Sequence, residues 1–484
     1  MSEEVDYAKL GLKCGLEIHQ QLETKKLFCN CPSILRKDEP DFTIKRKLHA
    51  VAGESGEVDA AAAYQHSLDK EFVYEGYNDT TCLVEIDEEP PHEMNKEALE
   101  IATHVSLLLN AKMIPLSQIM RKTVVDGSNT SGFQRTVMIA RDGFVETNAG
   151  RVGIDSVCLE EDSARVVGEK STGQTATYRL DRLGIPLIEI ATAPDIKSPS
   201  QAKEVALHIG EILRACKVKR GLGTIRQDVN LSVKGGKRVE LKGFQDINNI
   251  ERAIEIEMKR QIGLVHLKKS VSEVRKVNVD GKSEFLRPMP GASRMYPETD
   301  LLLLRISRDF INDAKKTLPK MKKDLEEDFK KIGLSEEMVK LLFKEDKLDE
   351  FRELLNVVNN PNLIAKVLLV YPKEIASREK ISSEKVEKIL NKDALGNVLE
   401  NLKKKKISEG DLKSVLTRMV QGEEHEKVVS SKEESSESIE EKVMNIIQSK
   451  PGLSFNAYMG LVMKEFSGKI SGSLAAEIIK KYLK

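Results

Sequence analysis

The chain has 484 residues, length for roughly two to four domains with cores of their own. Lys+Arg and Asp+Glu stand at 77 each, which excludes a globally basic nucleic-acid binder but not a local basic stripe. No apolar run approaches about 20 residues, no signal peptide opens the chain, and six scattered cysteines make no disulfide framework. A reducing, cytoplasmic setting without a membrane is expected.

Over the first ~300 residues short alternating runs and Gly-rich turns dominate. Three helices are predicted among them, at 92–111, 198–216 and 249–265, with Asn or Ser near the starts of the first two. "TVMIARDGFVETN", "RVGIDSVCLEED" and "TIRQDVNLSVKGGKRVELKGF" read as strands and hairpins. Residues 1–304 are therefore expected to form an α+β domain built on a large, mostly antiparallel sheet. From residue 305 to 420 Lys, Glu and Leu dominate and the spacing predicts an all-helical domain. Residues 421–442 are acidic and Ser-rich and read as a flexible linker; 443–484 regain periodicity as a small helical tail.

Strand parity groups the chemistry, because successive side chains point to opposite faces. In "CGLEIHQ" Leu16 and Ile18 face one way, and Glu17 and His19 the other. In "TIRQDVNLSV" Arg226, Asp228, Asn230 and Ser232 share the polar face, and "RVELKGF" adds Arg238, Glu240 and Lys242. A hairpin with a three-residue loop, Gly235–Lys237, sets Asn230 opposite Lys242 and Ser232 opposite Glu240. "CLEEDSAR" contributes Glu160, Glu161 and Asp162. Carboxylates gathered on one face repel unless a cation neutralises them, and oxygen donors with few histidines select Mg²⁺.

The loop "RKTVVDGSNTSGFQRT" offers N–H and hydroxyl groups that suit an anion, although composition alone favours a plain surface loop. No Walker A pattern and no G-x-S-x-G nucleophile occurs, and no cysteine stands in a protease or amidotransferase setting. Cys29-x-Cys31 is half a Zn²⁺ site, with Cys14 and Cys82 the nearest residues to complete it and His49 a fallback.

Several long segments occur in one order: "GLEIHQQLETKKLFCNCP", "CLEEDSAR", "DRLGIPLIEIATAPDIKSP", "RQDVNLSV", "VELKGFQDINNIERAIEIE" and "RPMPGASRMYPETD". Together they resemble the B/E family of tRNA-dependent amidotransferase subunits. "CLVEIDEEPPHEMNKEAL" and "TVVDGSNTSGFQRT" are similar to its archaeal E branch rather than to the B type that pairs with an A/C amidase. The resemblance implies a cradle domain, a helical domain and a tRNA-binding tail. It implies phosphorylation of the γ-carboxylate of Glu-tRNA(Gln) with ATP and Mg²⁺, then amide formation with ammonia delivered by an asparaginase-like GatD partner. By the same resemblance Glu17, His19, Glu161 and Glu240 are catalytic, Mg²⁺-binding residues. Asp228 and Asn230 match the family's D-x-N strand, and Arg226, Lys242 and Arg294 are the phosphate-binding candidates. A scaffold with a decayed catalytic face is the other reading, and the presence of every acidic position opposes it. One departure is large: the domain that the E branch carries late in the cradle, similar to one in bacterial aspartyl-tRNA synthetases, is missing near Asp280–Gly281. That dipeptide suits a hairpin turn.

Overall fold

The computed structural model describes residues 6–482, apart from 54–55, 222, 245, 292–293, 346, 424–435 and 467–471. It divides into two compact units, Met1–Lys322 and Lys323–Lys484. The first unit is built on strands β1 (Lys13–Gln21), β2 (Met120–Thr123), β3 (Phe133–Thr147), β4 (Gly150–Glu161), β5 (Pro186–Thr192), β6 (Ile225–Ser232), β7 (Val239–Lys242), β8 (Glu273–Val277), β9 (Ser283–Pro288) and β10 (Met295–Pro297). They lie in the order β9-β8-β7-β6-β1-β5-β4-β3-β2-β10, with the short strand Lys112–Met113 added on β3. All but β7–β8 pair antiparallel, as the alternating runs predict. The fold is α+β.

Helices α1 (Ala60–His66), α2 (Lys96–Leu108), α3 (Pro199–Ala215), α4 (Asn249–His266) and α5 (Arg308–Lys316) complete the unit. Asn95 caps α2 by accepting from the Ala98 N–H, and Ser198 caps α3 ahead of a proline in its first turn. The apolar faces of α2, α3 and α4 bury one side of the sheet: Leu16 and Ile18 of β1, Ile188 and Ile190 of β5, and Val229 and Leu231 of β6 share a core with Val105, Ile209 and Ile254. The helices cover only that side, and the opposite parity is left polar.

The texture change at residue 305 is not where the first unit ends. His104 of α2 hydrogen-bonds to the Ala314 carbonyl, and Phe310 and Ile311 of α5 pack on the sheet core, so the unit runs on to Lys322. A second, four-stranded sheet, Phe42–Arg46, Glu71–Gly76, Thr175–Arg179 and Arg165–Val166, has its own small core around Phe72 and Tyr74. Sequence reading did not separate it from the main sheet.

The second unit is helical throughout its described residues, with a core around Phe351, Ile364 and Leu399. Ser436–Ser449, Phe455–Glu465 and Gly472–Tyr482 enclose a smaller core around Val443, Tyr458 and Ile479. The first of these helices begins inside the segment expected to be a linker; residues 424–435 of that segment, and most of "FSGKISG", lie outside the described residues. No helix among the described residues is long and apolar enough to cross a membrane.

Ile18 is fully buried on the strand between β5 and β6. Ile18→Ala is expected to destabilise the first unit by about 3 kcal/mol through lost burial and a residual cavity, read as a lower urea midpoint for the sheet-bearing transition.

Candidate active site

The polar face of the sheet lines a cavity of about 540 Å³ whose walls include Glu17, His19, Lys122, Glu160, Asp162, Glu189, Arg226, Asp228, Asn230, Glu240, Lys242, Arg287 and Arg294. Registry explains the convergence. Glu17 lies directly opposite Asp228, and His19 sits between Arg226 on β6 and Glu189 on β5. Glu160 is two residues along β4 from the partner of Glu189. Neighbouring strands thus deliver one face of side chains to one hollow.

The β6–β7 hairpin differs from the expected register by two residues. Asn230 faces Glu240, not Lys242. The reason lies in the turn: the Val233 N–H donates to Gln261 Oε1 and the Lys234 N–H to the Leu10 carbonyl, so both leave the ladder. A shift of two preserves parity, so every polar residue stays on the cavity face. It also brings Lys242 closer, with Nζ 2.6 Å from Asp228 Oδ2 and 2.5 Å from Glu240 Oε1.

Glu161 does not line this cavity. It shares parity with Val157 and Leu159, so it points to the helix side of the sheet. Beyond the end of the helix layer it meets Arg135, at 3.3 Å, which also donates to Glu298 at 2.8 Å. Glu160, the other residue of the pair, is the one that faces the cavity, where Lys122 Nζ lies 2.6 Å from Glu160 Oε1 and 3.4 Å from Glu189 Oε2. Sequence reading missed Glu189, Lys122 and Arg287. Glu189 carried a signal, being the single charged residue in the apolar strand "PLIEIAT".

Electrostatics follow from burial and proximity. Burial and the Glu189 charge raise the Glu17 carboxyl, against the pull of Lys242 and His19. Burial lowers the His19 imidazole, but the hydrogen bond and charge of Glu189, with Glu17 and Asp228, outweigh it and leave the group raised. Burial likewise opposes charge on Glu240, and Lys242 overrides it, so that carboxyl is held low. The phosphate-binding candidates are partly engaged: Arg226 donates to Asp162 at 2.9 Å, and Arg294 Nε to the Thr123 carbonyl at 3.1 Å.

Two donor sets fit a hard cation. Oxygens of Glu17, Asp228 and Glu240 lie within 4.8 Å of one another, as do donor atoms of Glu17, His19 and Glu189. A third set stands apart. Cys29, Cys31, Cys82 and Glu85 place three sulfurs and an oxygen within 4.8 Å, against about 3.8 Å between sulfurs of a tetrahedral zinc. Of the residues expected to complete Cys29-x-Cys31, Cys82 does so. Cys14 is fully buried in the apolar core, and His49 packs against His66 with the rings tilted, centroids 5.4 Å apart. Glu85 had not been anticipated; fully buried Lys26 orients it at 2.8 Å. Hydrogen bonds from Cys29 and Cys31 hold the Cys82 thiol low, while the same sharing pushes Cys29 up. The loop expected to cradle an anion joins this region: Thr130 donates to the Glu85 carbonyl, and Ser128 is turned onto Asp126. Asn129 and Thr130 are buried, so the middle of the segment is not plain surface, and it is the flanking Lys122 and Gln134 that line the 540 Å³ cavity.

Residues 12–312 match the GatB/GatE catalytic domain, and residues 349–483 the GatB domain. The chain belongs to the GatB/GatE family. Within that family it is 37% identical to the E-type glutamyl-tRNA(Gln) amidotransferase subunit of Methanocaldococcus jannaschii, across 99% of this chain and all of the relative. It is 34% identical to the E-type subunit of Methanococcus maripaludis, over 99% of each. Against the E-type subunit of Methanosarcina acetivorans, identity reaches 55% over 274 residues, 56% of this chain and 43% of that one. The first alignment runs to 634 positions against 484 residues here, leaving at least 150 positions filled by the relative alone. The residues of the two hard-cation sets and the charged groups beside them, Glu17, His19, Lys122, Glu160, Glu189, Asp228, Glu240, Lys242, Arg287 and Arg294, all fall inside the catalytic-domain match of this GatB/GatE chain.

Because His19 is raised above the ordinary histidine value, the imidazole keeps its proton to a higher pH than a free histidine does, and it must lose that proton to bind a cation. Mn²⁺ affinity at the Glu17–His19–Glu189 set is therefore expected to rise with pH through that raised value, with proton release on binding. Calorimetry in buffers of different ionisation enthalpy measures both, and His19→Gln should flatten the dependence.

Proposed function

We propose that this chain is the subunit of a glutamyl-tRNA(Gln) amidotransferase that activates the tRNA-bound glutamate with ATP and completes the amide. The observation that carries the reading is the cavity itself, in which carboxylates of β1, β4, β5, β6 and β7 face His19, two lysines and a set of arginines. The γ-carboxylate oxygen of the glutamyl group attacks the γ-phosphorus of ATP and ADP leaves; being ionised already, it needs no protein base. Ammonia then attacks the acyl carbon and phosphate leaves with the proton that ammonia gives up.

Glu17, Asp228 and Glu240 form one Mg²⁺ set, and Glu17, His19 and Glu189 another, with Glu160 beside them in the place sequence reading gave to Glu161. When bound, Mg²⁺ neutralises phosphate oxygens and withdraws charge from the phosphoryl group in flight. Arg226, Arg287, Arg294 and Lys242 reach the phosphates, with Arg forks suited to paired oxygens. Asn230 hydrogen-bonds ribose or phosphate from the same strand face. The partner is an asparaginase-like GatD subunit that supplies ammonia. The helical second unit, with its C-terminal core, contributes tRNA contacts. The family's inserted domain is replaced near Asp280–Gly281 by a tight hairpin, in which the Asn278 N–H bonds the Lys282 carbonyl and Gly281 takes φ +80°.

The test is γ-phosphoryl transfer from labelled ATP to Glu-tRNA(Gln), with ammonium chloride in place of the partner. Glu240→Ala and Asp228→Asn should each lower the rate at least a hundredfold while tRNA binding holds. A rate unchanged in both, or tRNA binding without any acyl phosphate in the wild type, would leave a scaffold.

Cys29, Cys31, Cys82 and Glu85 bind a structural Zn²⁺ in this reading, with Lys26 offsetting the excess negative charge. About one zinc per chain is expected by elemental analysis, and Cys82→Ser should lose it and lower the melting temperature.

A further inference from the structure

One buried carboxylate outside the cavity has both oxygens committed to different elements. Asp59 is 2% exposed. Its Oδ1 accepts the Ala61 and Ala62 N–H groups, each at 3.0 Å, and so caps α1. Its Oδ2 accepts the Gly291 N–H at 2.8 Å, across 232 residues of sequence. Gly291 ends the Pro-Met-Pro-Gly turn that follows β9. Met289 and Pro290 of that turn line the cavity, and Arg287 enters it from β9. On its other side the Gly291 carbonyl accepts the Arg294 N–H. A second contact runs parallel to the first: α1 lies along β9, with Tyr64 edge-on to Phe285 at 6.3 Å.

We propose that Asp59 is a positioning residue, a latch through which α1 fixes the Pro288–Gly291 turn and so holds Arg287 and Arg294 over the nucleotide phosphates. This rests on the nucleotide reading of the cavity. Burial disfavours the Arg294 charge and the Arg287 charge repels it, so the pair does not converge by itself. The anionic anchor at Gly291 supplies the constraint, and the Asp59 charge also acts directly on Arg294. Guanidinium groups held in place before the phosphates arrive cost less order on binding.

The two oxygens make the idea separable. Asn caps a helix about as well as Asp, so Asp59→Asn keeps the Oδ1 bonds to α1. Its amide group then presents N–H to the Gly291 N–H, and the latch is lost. Asp59→Ala loses both. Asp59→Asn in the full-length chain is expected to melt close to wild type and to bind the ATP analogue AMPPNP, with Mg²⁺, about tenfold more weakly by calorimetry. Amide exchange at Gly291 should quicken in the same variant without nucleotide. Wild-type affinity in Asp59→Asn, beside weakened binding in Arg294→Ala, would overturn the latch and leave the nucleotide site standing. Unchanged binding in Arg294→Ala and Glu240→Ala as well would overturn the nucleotide site, and the latch with it. If Asp59→Asn melts as low as Asp59→Ala, Asp59 serves folding alone and the proposal fails.

Discussion

Everything in the first unit turns on the repulsion among carboxylates that one sheet face brings together. Two unit charges within 4.8 Å repel by about 3.5 kcal/mol at an effective dielectric near 20, and here Glu17 takes part in two such sets. Parity leaves the strands no other choice, because the alternate residues are the core. Leu16 and Ile18 cannot be buried under α3 and α4 without turning Glu17 and His19 the other way. The fold therefore holds apart a charge cluster that its own geometry assembles. In the protein alone the compensation comes from Lys122 and Lys242, each set between two carboxylates.

Those lysines give the site its readiness for a cation. Burial penalises each ammonium, and the flanking carboxylates more than offset the penalty, so both lysines stay charged well beyond neutral pH. A site balanced this way is dense in both signs of charge. In the proposed reading a hard cation would bring more charge and more coordination to the same oxygens, leaving the ammonium groups to face phosphate. The Cys29–Cys31–Cys82–Glu85 group repeats the arrangement in softer donors, with Lys26 in the part of the resident cation.

What the sequence made legible was whatever depends on local alternation. The polar faces of β1, β6 and β7, the three covering helices and the α+β class all follow from period-two and period-3.6 patterns, which neighbours decide. What it hid depends on where a strand stops. Glu160 and Glu161 are adjacent, of one type and both buried; parity with Val157 and Leu159 separates them, but the partner that Glu161 meets on the apolar side, Arg135, is shown by the fold alone. The register of β6 on β7 was set by hydrogen bonds from Val233 and Lys234 to Gln261 and Leu10, partners no hairpin rule contains. Glu85 was invisible for the same reason. Its three sulfur neighbours come from two segments that only the folded chain apposes.

The cavity is also more than a sheet face. Its floor is fixed by strand pairing, a continuous hydrogen-bonded ladder. Arg287 instead comes from β9, at one edge of the sheet, and Arg294 from the chain that leads on to β10 at the other. β9 and the turn after it are held by the hairpin through Asp280–Gly281, which ties β9 to β8, by the Ser283 hydroxyl donating to Glu257 of α4, and by the contact of α1 through Asp59 and Tyr64. Where relatives carry at least 150 further positions, the hairpin route would be interrupted if they enter at that turn, and α1 would be the shorter connection. In this chain both act on the same strand, so the arginine wall is braced from its two ends while the carboxylate floor is braced by the sheet itself.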